Sequence, residues 1–385
     1  MSRVYLDHNA TSLLRDEARA AMDQVLASGA GNPSSPHARG RAARAVIDDA
    51  RQRIAGALRV DEEGIIFTSG GTEADNLAVL GTVRGAAEGR GLVTTLVEHP
   101  AVLGPALALQ QEGRNVVRVP VDAAGRPATD SLLDHAHGAA LVAVQAANSE
   151  LGTCPDLASI GRGLRELEAS VRPKFFTDAV QALGRIQVDL EAWGADLAAF
   201  SAHKVGGPTG CGVLVRRGGS ALCPLVHGGG QEDEVRPGTE NVSAIAGAAV
   251  AIELAVLEQE SEASRILGLS QRLWHDLRSA VPDVRLLGPD LDDAHRLPNT
   301  LCILLPGVNG RMGVTQLDLE GLEVSAGSAC SSGSLEPSPV LRAIGLNDED
   351  ARGGLRISLG RTTTEEDIHI AVETLSRTSR RARKS

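Results

Sequence analysis

Four short segments combine residue types that packing alone does not explain. Phe200-Ser201-Ala202-His203-Lys204 sets a hydroxyl, an imidazole and an amine directly behind an apolar run, with Gly206-Gly207-Pro208 following. Lysines are seldom buried without a partner, so Lys204 in that setting calls for a chemical role. Phe176-Thr177-Asp178-Ala179-Val180-Gln181 ends another apolar run on an acid; alone, such an Asp is often only the N-cap of the next helix. Glu98-His99-Pro100 ends a third, where a single histidine is usually a satisfied polar residue. Phe67-Thr68-Ser69-Gly70-Gly71-Thr72-Glu73 reads as strand, glycine turn and helix start. Free N–H groups there, with the Thr72 hydroxyl, can cradle a phosphate. No Gly-Lys-Ser/Thr follows, so this is not a Walker A loop; taken alone, a threonine-capped turn explains it.

The set is more specific than its members. A phosphate cradle, an acid, a stackable imidazole and a semi-buried lysine are what pyridoxal phosphate requires. It needs a lysine for a Schiff base, a carboxylate to keep its ring nitrogen protonated, and anchors for its phosphate. Lys204 lies 26 residues beyond Asp178, enough for a strand–helix–strand unit to bring both to one crevice.

The elements that must position them follow from the pattern. Ile65–Thr68, Leu92–Val97, Val116–Val119, Ala139–Ala146, Lys174–Thr177, Asp196–Phe200 and Gly212–Val215 read as strands. Helical-period segments from Glu73, at Ala101–Glu112 and at Leu157–Ala169 alternate with them. The alternation predicts the α/β class: a large domain, residues 1–260, with a mainly parallel sheet covered by helices and ligands at the carboxyl ends of its strands. Beyond the helical stretch Ala244–Glu260, a helix at Gln271–Ala280, a strand at Thr300–Leu305, a helix at Val340–Ile344 and a strand at Gly354–Ser358 predict a smaller α+β domain, 261–385. Residues 1–14 are free to pack with it. The tail Arg377–Ser385 carries five basic residues and no acidic one, and reads as a solvated, frayed end, with docking to an acidic partner as the alternative.

Composition removes whole classes. A net charge of −11 over 385 residues leaves nothing to neutralise a row of phosphates, and 2% aromatics are too few for base stacking. No nucleic-acid partner is expected. The longest apolar stretch, Ala244–Leu257, is interrupted by Glu253 and too short for a bilayer. Five cysteines at spacings without a C-x-x-C pair read as reduced thiols of a cytoplasmic protein, not a structural zinc site. Of these, Cys211 and Cys302 lie in apolar runs and read as packing residues. Cys330 instead stands among small polar residues and glycines, where a mobile nucleophile is expected.

Tyr5-Leu-Asp-His-Asn-Ala-Thr11, Gly31-Asn-Pro-Ser-Ser-Pro-His37, Ser69–Asn76, Glu98–Ala101, Thr177–Gln181 and Ser201–Lys204 resemble cysteine desulfurases of the NifS/IscS-like type. The resemblance continues through Gly228–Glu232, Arg236-Pro-Gly-Thr-Glu-Asn241, Leu297–Thr300, Ser325-Ala-Gly-Ser-Ala-Cys-Ser-Ser-Gly333, Arg356–Arg361 and Thr363–Asp367, nearly the whole chain. These are fold-type I pyridoxal phosphate enzymes of the class V aminotransferase group.

The resemblance implies roles. Lys204 would bond the cofactor and shuttle protons, Asp178 pair with the ring nitrogen, Gln181 approach the phenolic oxygen and His99 stack on the ring. Gly71, Thr72, Ser201 and His203 would hold the phosphate, completed by Thr239 from the other subunit of a homodimer. Arg356 would bind the carboxylate of L-cysteine. Cys330 would accept the sulfur as a persulfide, leaving L-alanine, and pass it to an iron–sulfur scaffold, with transient contact to cluster iron. One departure stands out: Ser149 replaces the second of a usual asparagine pair, and Asn148 is expected to make the contact instead. Another class V reaction (a selenocysteine lyase or an aminotransferase) and a non-enzymatic sulfur-relay scaffold are the alternatives. The scaffold reading predicts a damaged lysine or acid, yet Lys204 and Asp178 are both present.

Overall fold

The computed structural model describes residues 3–326 and 336–383. Its strands, in chain order, are β1 (Val4–Tyr5), β2 (Ile65–Thr68), β3 (Leu92–Thr95), β4 (Val116–Val119), β5 (Leu141–Ala143), β6 (Lys174–Asp178), β7 (Leu197–Ser201), β8 (Gly212–Arg216), β9 (Arg285–Leu287), β10 (Thr300–Leu304), β11 (Leu322–Glu323), β12 (Ser325–Ala326) and β13 (Gly354–Ser358). Strands β2 to β8 form one sheet in the order β2-β8-β7-β6-β5-β3-β4. The five from β7 to β4 are parallel, whereas β8 is antiparallel to both its neighbours. The link from β7 to β8 is too short to hold a crossover helix, so the chain must reverse there.

Both faces of this sheet are buried. Phe175 belongs to the core on one side, with Ile47, Ile54 and Phe200, and Phe176 to the core on the other, with Leu77, Val79 and Leu197. Adjacent strand residues point to opposite faces, so one Phe-Phe pair anchors two layers. Each such ring contributes about 2–3 kcal/mol on burial.

A second, antiparallel sheet runs β12-β13-β10-β9, beside a parallel pair of β1 with β11. Its core gathers Val4 and Leu6 from the N-terminus with Leu273, Ile303, Leu355, Ile357 and Leu375. The helices Val242–Leu257 and Gln259–Ala280 meet at 71°. The first is buried in the large core; the second is amphipathic and lays Ile266, Leu273 and Leu277 on the small one. The expected helix at Gln271–Ala280 is the last half of this longer one.

The tail differs from expectation. Glu365–Ala382 is a helix with a Thr364/Asp367 capping box, and Arg377 and Arg381 both bond Glu320. Apolar residues at helical spacing (Ile368, Ala371, Leu375) hold it to the core, so Arg377 and Arg381 are ion-paired on a docked helix rather than frayed. No single helix among the described residues is long and apolar enough to cross a membrane.

Candidate active site

The carboxyl ends of three parallel strands deliver the chemistry. Asp178 closes β6; its Oδ1 accepts the Val180 N–H at 3.0 Å. Burial pushes its carboxyl above the usual range, while His99 and Lys204 pull it back down. His99 caps the helix Pro100–Gln111, its Nδ1 accepting the Ala101 N–H at 3.1 Å. A neutral ring with Nδ1 as acceptor carries its proton on Nε2. Donor atoms of Asp75, His99 and Asp178 lie within 4.8 Å of one another.

Lys204 follows β7 in the single turn Ala202–Val205. Its Nζ donates to the carbonyls of Asn9 and Ala10, each at 2.7 Å. Gly206 ends that turn at φ 82°, where a Cβ would stand 2.7 Å from the Arg15 side chain; only glycine lets the lysine turn close here. His203 Nδ1 lies 3.1 Å from Thr11 Oγ1. Burial, helped by Lys204 and Arg185, lowers its pKa to about 4, so the ring is neutral.

The helix Gly71–Gly85 starts without a side-chain cap, so its first N–H groups are oriented to meet an anion. Ser201 is buried beside it. A Cβ at Gly71 would come 2.9 Å from Val180 Cγ2 and 3.4 Å from Ser201 Cβ. Thr72 occupies the exposed first turn. Gln181 is buried; its Nε2 donates to the Asn9 carbonyl at 3.0 Å and its Oε1 accepts from Arg185.

Asn148 is turned to the backbone. Its Oδ1 accepts the N–H groups of Glu150 and Leu151, and its Nδ2 donates to Val97. That Asx turn presents the Ser149 carbonyl to Arg356 Nη1 at 3.3 Å. Arg356 is buried at the centre of β13 and its Nη2 donates to Asp7 Oδ1 at 2.7 Å. Thr239 is exposed, three residues past Arg236, whose Nε bonds Glu73 at 2.8 Å. Cys330 lies outside the described residues; the chain enters its segment from β12, where Ser325 pairs with Arg356.

Two residues escaped the sequence reading. Asp75 is 1% exposed with an Oδ1 that no described group bonds, and Glu98 is equally enclosed with such an Oε2. The signal was present for Asp75, an acid two residues ahead of the apolar run Leu77–Leu80 of the same helix.

Burial holds Asp75 and Glu98 toward the neutral acid, leaving Asp178 as the carboxylate that needs a cation, and the protonated ring nitrogen of pyridoxal phosphate would be one. The uncapped helix start beside Ser201, packed so closely on Val180 that only glycine fits at Gly71, suits its phosphate. The fold and these groups together define a fold-type I pyridoxal phosphate enzyme.

Comparison with known proteins narrows the class. The family described as Aminotransferase class-V matches residues 4–370. A cysteine desulfurase IscS of Dictyoglomus turgidum is 42% identical over 97% of this chain and 94% of its own length. Another, of Methanosarcina thermophila, is 38% identical over 96% of this chain and 90% of its own. Among solved structures, a NifS-like protein superposes with TM-score 0.90 at 34% identity, covering 97% of this chain and 98% of its own. SspA in complex with cysteine gives 0.78 at 30%, over 92% and 98%. The chain belongs to the class V aminotransferase family, in its branch of NifS/IscS-type cysteine desulfurases, and is a pyridoxal phosphate-dependent enzyme.

Proposed function

We propose that this chain takes the sulfur of L-cysteine as a persulfide on Cys330, releases L-alanine, and hands the sulfur to an iron–sulfur scaffold. One observation carries the reading: the fork of Arg356 and the amine of Lys204 are joined through Asn9. Arg356 and Asn9 Nδ2 both donate to the Ser149 carbonyl, at 3.3 and 3.0 Å, and Asn9's own carbonyl accepts Lys204 Nζ at 2.7 Å. A carboxylate receptor and a base in one bonded unit suit an α-amino acid.

When bound, pyridoxal phosphate supplies an electron sink for the pair left as Cα loses its proton. Asp178 would hold the proton of the ring nitrogen, His99 would cover the ring and Gln181 would approach its phenolic oxygen; Asn148, expected to make that contact, would have to leave its backbone bonds to Glu150, Leu151 and Val97 to do so. Gly71, Thr72, Ser201 and His203 would hold the phosphate, with Thr239 reaching it across a C₂ homodimer. Arg356 binds the substrate carboxylate, and Lys204 Nζ removes the Cα proton and returns protons to carbon. Cys330, as thiolate, attacks the substrate sulfur. The S–S bond forms as the Cβ–S bond breaks; that electron pair stays with the carbon skeleton, which is protonated to alanine. Cys330 contacts cluster iron only as cargo during transfer.

The free thiols Cys154, Cys211, Cys223 and Cys302 support a cytoplasmic location. The separate cores support a division near 260, with the first residues packed on the small domain. The test is turnover with sulfur-labelled L-cysteine. Alanine should equal the sulfur removed, and the label should map to the Cys330 peptide. A keto acid in place of alanine, or label on another cysteine, would overturn the reading.

A further inference from the structure

The segment Asp7–Thr11 stands out in the sequence without a chemical role, yet it touches four of the site residues. Lys204 Nζ and Gln181 Nε2 both donate to the Asn9 carbonyl, and Thr11 Oγ1 meets the His203 ring. Asp7 reaches the fourth, Arg356, at 2.7 Å. The strap cannot yield easily. Asp7 is bridged to Ser358 in parallel fashion, and Tyr5 Oη donates to the carbonyls of Asp7 and Thr11 at 3.0 and 2.8 Å. Asn9 is pinned by Ser149, Thr300 and Asn299.

Arg356 therefore has one rigid, short partner and one long one, the Ser149 carbonyl at 3.3 Å. Its Nε is buried and meets no described acceptor. Two other groups act on the guanidinium from elsewhere: Glu150, whose carboxyl feels its charge, and Arg185, which repels it. Without Asp7, no rigid carboxylate would hold the fork against the pull of Glu150 and the push of Arg185.

We propose that Asp7 is a positioning residue that holds the Arg356 fork in place for the substrate carboxylate. This rests on Arg356 being the carboxylate receptor. What Asp7 provides is a fixed acceptor oxygen, because its backbone is strand-paired two residues from the arginine it holds. An asparagine, with a carbonyl oxygen at the same reach, keeps that acceptor; alanine and serine do not.

The test compares Asp7→Ala, Asp7→Ser, Asp7→Asn and Arg356→Gln in the cofactor-loaded full-length enzyme. The readouts are KM and kcat for L-cysteine, the dissociation constant of L-alanine from the cofactor absorbance, and the melting temperature. Asp7→Ala should raise KM and the L-alanine constant about tenfold, roughly 1.4 kcal/mol, with kcat changed less than threefold. Asp7→Asn should restore both to within about threefold of wild type. Asp7→Ser carries the same expectation as Asp7→Ala should the latter not fold. A fall in melting temperature with unchanged L-alanine binding would make Asp7 merely structural and overturn the proposal, as would tighter binding in Asp7→Ala. Arg356→Gln separates the layers. If it weakens L-alanine binding while Asp7→Ala does not, only the positioning role fails; if it binds normally, the carboxylate reading fails with it.

Discussion

Asp75 and Asp178 face each other in the protein interior, with carboxyl oxygens within 4.8 Å and His99 beside them. They come from different elements, the helix Gly71–Gly85 and the end of β6. Burial, then Asp178 and Glu98, hold the Asp75 carboxyl well above the usual range. Two such groups do not ionise together, so Asp178 can be the anion only while its neighbours remain neutral acids.

Glu98 makes this measurable. Burial pushes its pKa up to about 8, so the folded chain keeps a proton that the unfolded chain releases above about 4.3. Stability from this group is present in acid, falls as pH climbs from that value, and is fully lost above about pH 8. Glu98→Gln removes the ionisation. In urea unfolding of the cofactor-free protein it should gain about 2–4 kcal/mol on wild type at a pH of about 9, and almost nothing at about 4.5. A gain independent of pH would mean that folding does not shift the Glu98 ionisation.

Gly71→Ala tests the phosphate cradle. The added methyl would meet Val180 Cγ2 at 2.9 Å, and relieving that contact displaces the helix start from the anion. The dissociation constant of pyridoxal phosphate, from fluorescence titration, should rise by about tenfold. Adding Val180→Ala should recover most of it. No recovery would place the phosphate elsewhere.

Cys330→Ser should bind L-cysteine, seen as a change in the cofactor spectrum, yet form no persulfide. Burial pushes the thiols of Cys154 and Cys211 up to about 12, and that of Cys302 higher still. None of these three is a thiolate at neutral pH, so none can substitute. Cys223 is exposed and serves as the control: Cys223→Ser should turn over normally. Persulfide found on Cys223 by peptide mapping would refute the assignment.

Thr239 is exposed, as a residue serving a partner's site must be before assembly. Mixing Lys204→Ala with Thr239→Val subunits should give hybrids with one intact site, if lysine and threonine of one site come from different chains. Such mixtures should regain up to about half of wild-type turnover per hybrid dimer. If turnover stays at the level of the parent variants, both residues serve the same subunit's site.

The sequence alone determined the strands and the groups at their ends. Apolar runs of four or five residues followed by Gly, Ser, His, Lys or Asp are local patterns, and burial on both faces keeps them continuous. Lys204, Asp178, His99 and the Gly71 turn were therefore legible, as was Arg356 once its motif was recognised. The long helices Asp16–Ser28 and Ala38–Leu58 were not, because their apolar positions are mostly alanine and give weak periodicity. Nor was the docked tail, whose charges depend on Glu320 across the fold. What only tertiary structure decided was which groups share a space. Asp7 and Arg356 are 349 residues apart in the chain and meet because the segment after β1 is bridged to β13 at Asp7–Ser358. Asp75 faces Asp178 because its helix crosses the sheet there. Side-chain pairings of that kind follow from how elements pack, which no local spacing encodes.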